Sequence, residues 1–207
     1  MSAVNFALGA LAGAAATAVA ADAYPSMMPT LGLNRPQIEL KYFDFAGAAE
    51  KVRFTLLIGG VPFKDTRVSF KEWVELKPTT KYGQLPEMYL NGETKPYAQS
   101  GAMLRFAGAI TGLVPKDPIK ALSVDEAIGL DEDLRREMRP SIVISYDQTI
   151  KPKEKARKIK ELREKLVADQ IPKFLSHFEQ MLGNSDYLCG SSPTIADAQF
   201  LVTCRWL

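Results

Sequence analysis

The 207-residue chain is 46% hydrophobic and 24% charged, a globular composition with room for one large domain or two small ones, and not that of a disordered polymer. A formal net charge of +2 gives no basic footprint for nucleic acid, and a single histidine, His177, excludes a His-rich metal site and argues against Ser-His or Cys-His machinery. Two cysteines, Cys189 and Cys204, make no disulfide framework, which fits a reducing compartment.

Residues 1–21 carry no charged side chain, and Phe6 to Ala21 is nearly all Ala, Gly, Leu and Val. As a helix this run would reach about 24 Å, short of the roughly 30 Å hydrocarbon core of a bilayer. The small residues around Ala20 and Ala21 suit a signal-peptide cleavage site, but no Lys or Arg precedes the apolar run. The expectation is a hydrophobic helix over residues 1–23, acting as a membrane anchor in lipid or against the helices of a membrane-protein complex. Gly9 and Gly13 have the spacing for close helix packing. A targeting remnant is the other reading. Residues 24–37, with Pro25, Pro29, Pro36 and Gly32, read as a semi-extended linker.

Ile38 to Phe43 alternates like a strand, Ala48 to Ile58 is helical and ended by Gly59-Gly60, and Val61 to Val68 reads as a second strand. The stretch from Trp73 to Ser100 follows. Leu85-Pro86 feeds a short strand, Glu87 to Leu90, since Pro fixes φ and cannot donate to a ladder. Asn91-Gly92 is a hairpin turn signal, and Thr94 to Ala98 is the return strand. Ser100 stands before a helical run, Ala102 to Ile110, where its hydroxyl and the N–H groups of a helix start suit an anion. Strand, helix, strand, hairpin, helix is the thioredoxin-like order, an α/β unit over residues 38–114. Pro115 and Pro118 then break the chain.

Residues 119–207 are all helical in pattern. A long stretch from Ala121 to about Gln148 is interrupted by Pro140. Glu154 to Leu182 is the clearest helix, with apolar residues at three- and four-residue steps and a kink expected at Pro172. Its first part carries eight Lys or Arg between Lys151 and Lys165, interleaved with Glu154, Glu161 and Glu164, which reads first as a solvated face and second as a docking surface. Thr194-Ile195-Ala196-Asp197 is a capping-box-like start to a last helix.

The stretch Trp73 to Ser100 resembles the glutathione-binding half of the glutathione transferases. Its Trp…Lys…Gly-Gln-Leu-Pro…Gln-Ser pattern is closest to the sigma class, and Leu40 to Phe63 resembles that family's first strand and helix. The resemblance runs from about Ile38 to the chain end. It implies a thioredoxin-like domain followed by an all-α domain, with glutathione as co-substrate and no metal. It puts Tyr42 at the catalytic tyrosine, whose phenol donates to the thiol sulfur. It also implies glutathione binding by Trp73 and Lys77 at the glycyl carboxylate, with Gln84 beside the same backbone. Leu85 would pair with the cysteinyl backbone, with Pro86 cis beneath it, and Gln99 and Ser100 would take the γ-glutamyl end. Asp125 matches an acid that reaches the neighbour's site in family homodimers. The capping box at Thr194 also falls where the family has one, and family chains continue beyond the helix in which this sequence stops.

One departure stands out. The family pattern Gly-Arg-x-Glu reads Gly47-Ala48-Ala49-Glu50 here, and the missing arginine bears on catalysis more than on binding. Three functions follow from these residues. One is an enzyme joining glutathione to a small apolar electrophile, or isomerising a peroxide-bearing lipid. Another is an accessory subunit of a membrane complex, held by residues 1–23, without turnover. The third is a soluble binding module whose N-terminal run is only a targeting signal. In the first two cases the chain is expected at a membrane, an organelle's included, with its globular part on the reducing side.

Overall fold

The computed structural model describes residues 36–207. The helix expected over residues 1–23, and the linker up to residue 35, lie outside the described residues. Among those described, no helix is long and apolar enough to cross a membrane. They divide into two compact units, 36–118 and 119–207.

In the first unit β1 (Ile38–Phe43) leads through a 3-10 turn (Gly47–Ala49) into α1 (Glu50–Ile58) and then β2 (Lys64–Val68). Next come α2 (Phe70–Leu76), a 3-10 turn (Lys77–Thr79), β3 (Glu87–Leu90), β4 (Tyr97–Ala98) and α3 (Ser100–Thr111). The four strands form one sheet in the order β2-β1-β3-β4. β1 and β2 are parallel, from Glu39 opposite Lys64 to Phe43 opposite Val68. The β1–β3 and β3–β4 pairs are antiparallel. Ile38, Leu40 and Tyr42 are the buried alternate residues of β1, as a two-residue repeat requires. Leu40, Val52, Leu56, Met88, Met103 and Leu104 form the buried centre, and α1 lies against α3.

Two strand boundaries differ from expectation. β2 begins at Lys64, not Val61, and β4 is only Tyr97–Ala98, because Pro96 has no N–H for a ladder. Asn91 (φ 53°) and Gly92 (φ 73°) form the expected tight turn. α2 was not expected. Its start is a capping box in which the Ser69 hydroxyl accepts the Glu72 N–H at 3.2 Å and the Glu72 carboxylate takes the Ser69 N–H at 2.8 Å. The signal Ser-x-x-Glu stood in the sequence.

The second unit holds α4 (Pro118–Tyr146), α5 (Pro152–Lys165), a π turn (Leu166–Gln170), α6 (Ile171–Leu182) and α7 (Ile195–Cys204). α4 carries Pro140 without ending there. The long expected helix does run from residue 152 to 182, but it passes Pro172 through the π turn. Pro172 has no N–H for the Ala168 carbonyl four residues back, and the Ile171 N–H bonds to Leu166, five back. Along α5 the charges pair at four-residue steps, Lys158 with Glu154 at 2.8 Å and Arg157 with Glu161 at 2.7 Å, the solvated-face arrangement. Phe178 and Phe200 meet at 4.1 Å between ring centres, and the buried Gln199 amide donates to the Ile128 carbonyl at 3.3 Å. At the head of α7 the Asp197 carboxylate takes the N–H of Thr194 at 2.8 Å and that of Leu188 at 2.9 Å.

Candidate functional site

The carboxyl ends of parallel strands are where open α/β sheets receive ligands, and here β1 ends at Tyr42 and Phe43. Tyr42 is buried, and its hydroxyl accepts the backbone N–H of Ala48 at 3.1 Å. The turn comes this close because Gly47 has φ +67° and no side chain; a Cβ there would lie 2.6 Å from the Tyr42 oxygen. Ala48 thus contributes a backbone donor that any residue but proline would supply.

The charge beside the tyrosine comes from α1. Arg53 is buried, with its guanidinium carbon 5.6 Å from the centre of the Tyr42 ring. It donates to the Glu50 carboxylate at 3.0 Å, to the Asp65 carboxylate at 3.1 Å and to the Phe45 carbonyl at 3.2 Å. The last bond fixes the loop that leads to Gly47 and Ala48. Sequence reading missed Arg53. Its pairing with Glu50 three residues earlier was a legible helix signal, whereas Asp65 and the ring of Tyr42 meet it only through the fold.

Beyond Tyr42 lies an aromatic shelf. Phe43 stacks on Phe45 at 5.5 Å and on Phe70 at 5.1 Å, and meets the Trp73 ring edge-on at 5.4 Å. Trp73 is half-buried on α2, and Lys77 is exposed just after it.

Across the sheet, Lys41 stands opposite Glu87, and Glu87 opposite Ala98. Tyr42, Pro86 and Gln99 are the next residues along these three chain segments, just past the last paired positions. The Leu85-Pro86 peptide is cis. Gln99 has φ +74° and precedes α3 as its N-cap residue, without a side-chain cap bond. Ser100 is therefore the first residue of the helix and not a residue ahead of it, which corrects the expected start at Ala102. The structure brings Tyr42, Leu85, Pro86, Gln99 and Ser100 to one end of the sheet, with Trp73 joined to them through Phe43. Lys77 and the exposed Gln84 lie on the segment between α2 and β3. Asp125, exposed on α4, belongs to the second unit.

Neither thiol has the surroundings of a nucleophile. Burial, and then the charge of Asp197, pushes Cys189 up to about 11; burial, and then Asp131, pushes Cys204 up to about 12.

The family model for the glutathione S-transferase C-terminal domain matches residues 141–206. Glutathione S-transferase 1 of Ascaris suum is 35% identical over 164 residues, covering 78% of this chain and 76% of the relative. The chain belongs to the glutathione S-transferase family. Among solved structures of this family, the glutathione S-transferase of Ascaris lumbricoides has a TM-score of 0.66 at 34% identity, with 79% of this chain and 77% of that one covered. The prostaglandin synthase D of Nilaparvata lugens has a TM-score of 0.71 at 28% identity, over 83% and 81%. The transferase fold is thus shared from the four-stranded mixed sheet into the helical half.

Proposed function

We propose that this chain is a sigma-like glutathione transferase, using Tyr42 to hold the thiolate of glutathione for attack on a small apolar electrophile. The observation that carries the reading is Tyr42 at the end of β1, its oxygen already accepting the Ala48 N–H at 3.1 Å, one register step from the cis Leu85-Pro86 peptide. A free thiol ionises near about 8.5, and a phenol O–H donated to sulfur favours the thiolate. The same N–H given to the phenol oxygen makes that O–H a stronger donor. The thiol proton leaves to solvent. The sulfur lone pair then forms the C–S bond while the bond to the leaving group breaks, the leaving group departing with the electron pair.

Leu85 offers its backbone to the cysteinyl residue as an added strand. Gln99 and Ser100 take the γ-glutamyl end at the head of α3, and Trp73, Lys77 and Gln84 take the glycyl carboxylate. Asp125 serves the neighbour's site in a homodimer. The aromatic shelf from Phe43 to Phe70 gives an apolar electrophile a surface. The likeness to the Nilaparvata lugens prostaglandin synthase D supports a lipid peroxide as a second substrate class.

Chromatography on immobilised glutathione tests the reading. The parent is expected to be retained and the Gln99→Ala, Ser100→Ala double variant to pass through. A folded parent that also passes through sinks it.

The uncharged run of residues 1–21 favours a second reading, a membrane-held protein or accessory subunit with its folded part on the reducing side. Carbonate extraction of native membranes decides it. Release of the chain with Met1 intact into the soluble fraction leaves the soluble transferase alone.

A further inference from the structure

The first residue after the cis proline is a glutamate. Glu87 is only 1% exposed, on the face of the sheet opposite Leu40 and Met88. Burying a carboxylate is costly unless donors surround it. Two neutral donors do so: the backbone N–H of Lys81 at 2.7 Å on one oxygen and the hydroxyl of Tyr89 at 3.0 Å on the other. Tyr89 is kept protonated, its phenol pushed up to about 12 by burial and by Glu87, so it remains a donor across the working pH range. The Lys41 ammonium approaches the same hydroxyl at 3.5 Å and lies 4.7 Å from the centre of its ring.

The partner at the other end matters more. Lys81 sits midway along the segment joining α2 to β3, and its own ammonium donates to the Pro96 carbonyl, just ahead of β4, at 3.3 Å. The segment is thereby fastened to β3 through its N–H and to the approach of β4 through its side chain. Lys77 stands four residues before this fastening, and Gln84 and Leu85 three and four after it. The segment has little else to hold it: Lys77, Pro78, Thr79, Lys81, Tyr82 and Gln84 are all exposed. Thr80 is buried and turned back on Lys77 by a hydroxyl bond of 2.8 Å, and Gly83 is half-buried.

We propose that Glu87 is a positioning residue for glutathione, its buried carboxylate registering the segment 77–84 against the cis-proline edge so that Lys77, Gln84 and Leu85 face the ligand together. This rests on the transferase reading above. The carboxylate acts by pre-organisation. A loosened segment still forms the site, but part of the binding free energy is then spent on ordering it. Chemistry at the sulfur, which belongs to Tyr42, is untouched, so the loss falls on KM for glutathione and not on kcat.

The test uses Glu87→Gln in the full chain, which keeps the volume and one acceptor but removes the charge, with Tyr89→Phe as a second variant that deletes one donor and leaves the carboxylate. Three quantities are read: hydrogen exchange at the Lys81 amide, KM for glutathione, and kcat with chlorodinitrobenzene. For Glu87→Gln, exchange at Lys81 and KM are each expected to rise by about tenfold while kcat stays within about twofold. Tyr89→Phe is expected to move the first two the same way by about threefold. It also carries the test should Glu87→Gln fail to fold. Unchanged Lys81 exchange, or a fall in kcat at constant KM, overturns the proposal. Faster Lys81 exchange in the variants of a parent that itself never binds glutathione overturns the transferase reading and the ligand named here, while showing the fastening itself to be real.

Discussion

Arg53 sets its guanidinium carbon 5.6 Å from the centre of the Tyr42 ring while one of its nitrogens holds the Phe45 carbonyl at 3.2 Å. A residue of α1 thus both steadies the loop that delivers the Ala48 N–H and puts positive charge beside the phenol. The glutathione transferase pattern places an arginine where Ala48 stands. In this chain a cation reaches the tyrosine from five residues further on.

Arg53→Met should therefore lower both stability and turnover. It leaves Glu50 and Asp65 without their shared cation, and because both carboxylates keep some contact with water, the cost should be about 3 kcal/mol, at the low end for breaking a buried pair. Urea unfolding checks the first effect. A shift of the pH–rate profile to higher pH, as the thiolate loses a favourable field, checks the second. Arg53→Lys should recover only part of either, because an ammonium cannot bond in the planar fork that Glu50, Asp65 and Phe45 occupy.

Tyr42→Phe removes a donor that acts mainly on the reactive form of the ligand. Turnover with a chloronitrobenzene electrophile should fall about a hundredfold, with glutathione affinity nearly unchanged. Parallel steady-state kinetics and glutathione titration of Trp fluorescence separate the two, and equal turnover in the variant removes Tyr42 from the mechanism.

Gly47→Ala should damage the site without replacing any residue that meets the ligand. Gly47 has φ +67°, which costs an L residue about 1–2 kcal/mol, and the new methyl would stand 2.6 Å from the Tyr42 oxygen and 2.8 Å from the Phe45 ring. Loss of thermal stability together with loss of turnover is expected; a variant as active and as stable as the parent contradicts this account of the turn.

The cysteines should be quiet. With Cys189 raised to about 11 and Cys204 to about 12 from an ordinary value of 9.0, iodoacetamide should label the folded chain slowly and the urea-unfolded chain fast. The linkage has a definite sign. Above about pH 9 the unfolded thiols lose protons that the folded ones keep, so stability from this source is intact below pH 9 and declines as pH rises toward 11 and 12. Replacing both cysteines with alanine should flatten that alkaline decline.

Much of this site was written locally. The alternation of Ile38, Leu40 and Tyr42, the Asn91-Gly92 turn, Leu85-Pro86 and the Thr194 capping box each depend on a few adjacent residues, and β1, β3 and the head of α7 fall at the expected residues. Apart from α2, the order of elements in the first unit was likewise legible, because period two and period 3.6 are properties of a single segment. α2 was missed although Ser69 and Glu72 announced it, since seven residues with no buried side chain give too short an apolar pattern to recognise. The early start of α3 was missed because Gln99 takes a positive φ that its own side chain does not favour.

The sequence by itself determined which segments become strands and helices, the tight turns between them, and the motif order that marks a glutathione transferase. Tertiary structure alone decided that Arg53 rather than a residue at position 48 brings charge to Tyr42. It alone decided that Glu87 is buried against Lys81 and Tyr89. The physical reason is the same each time. Hydrogen bonds within a turn or a helix are closed by neighbours in the chain, whereas a buried charge must find donors from segments that only packing brings within about 3 Å.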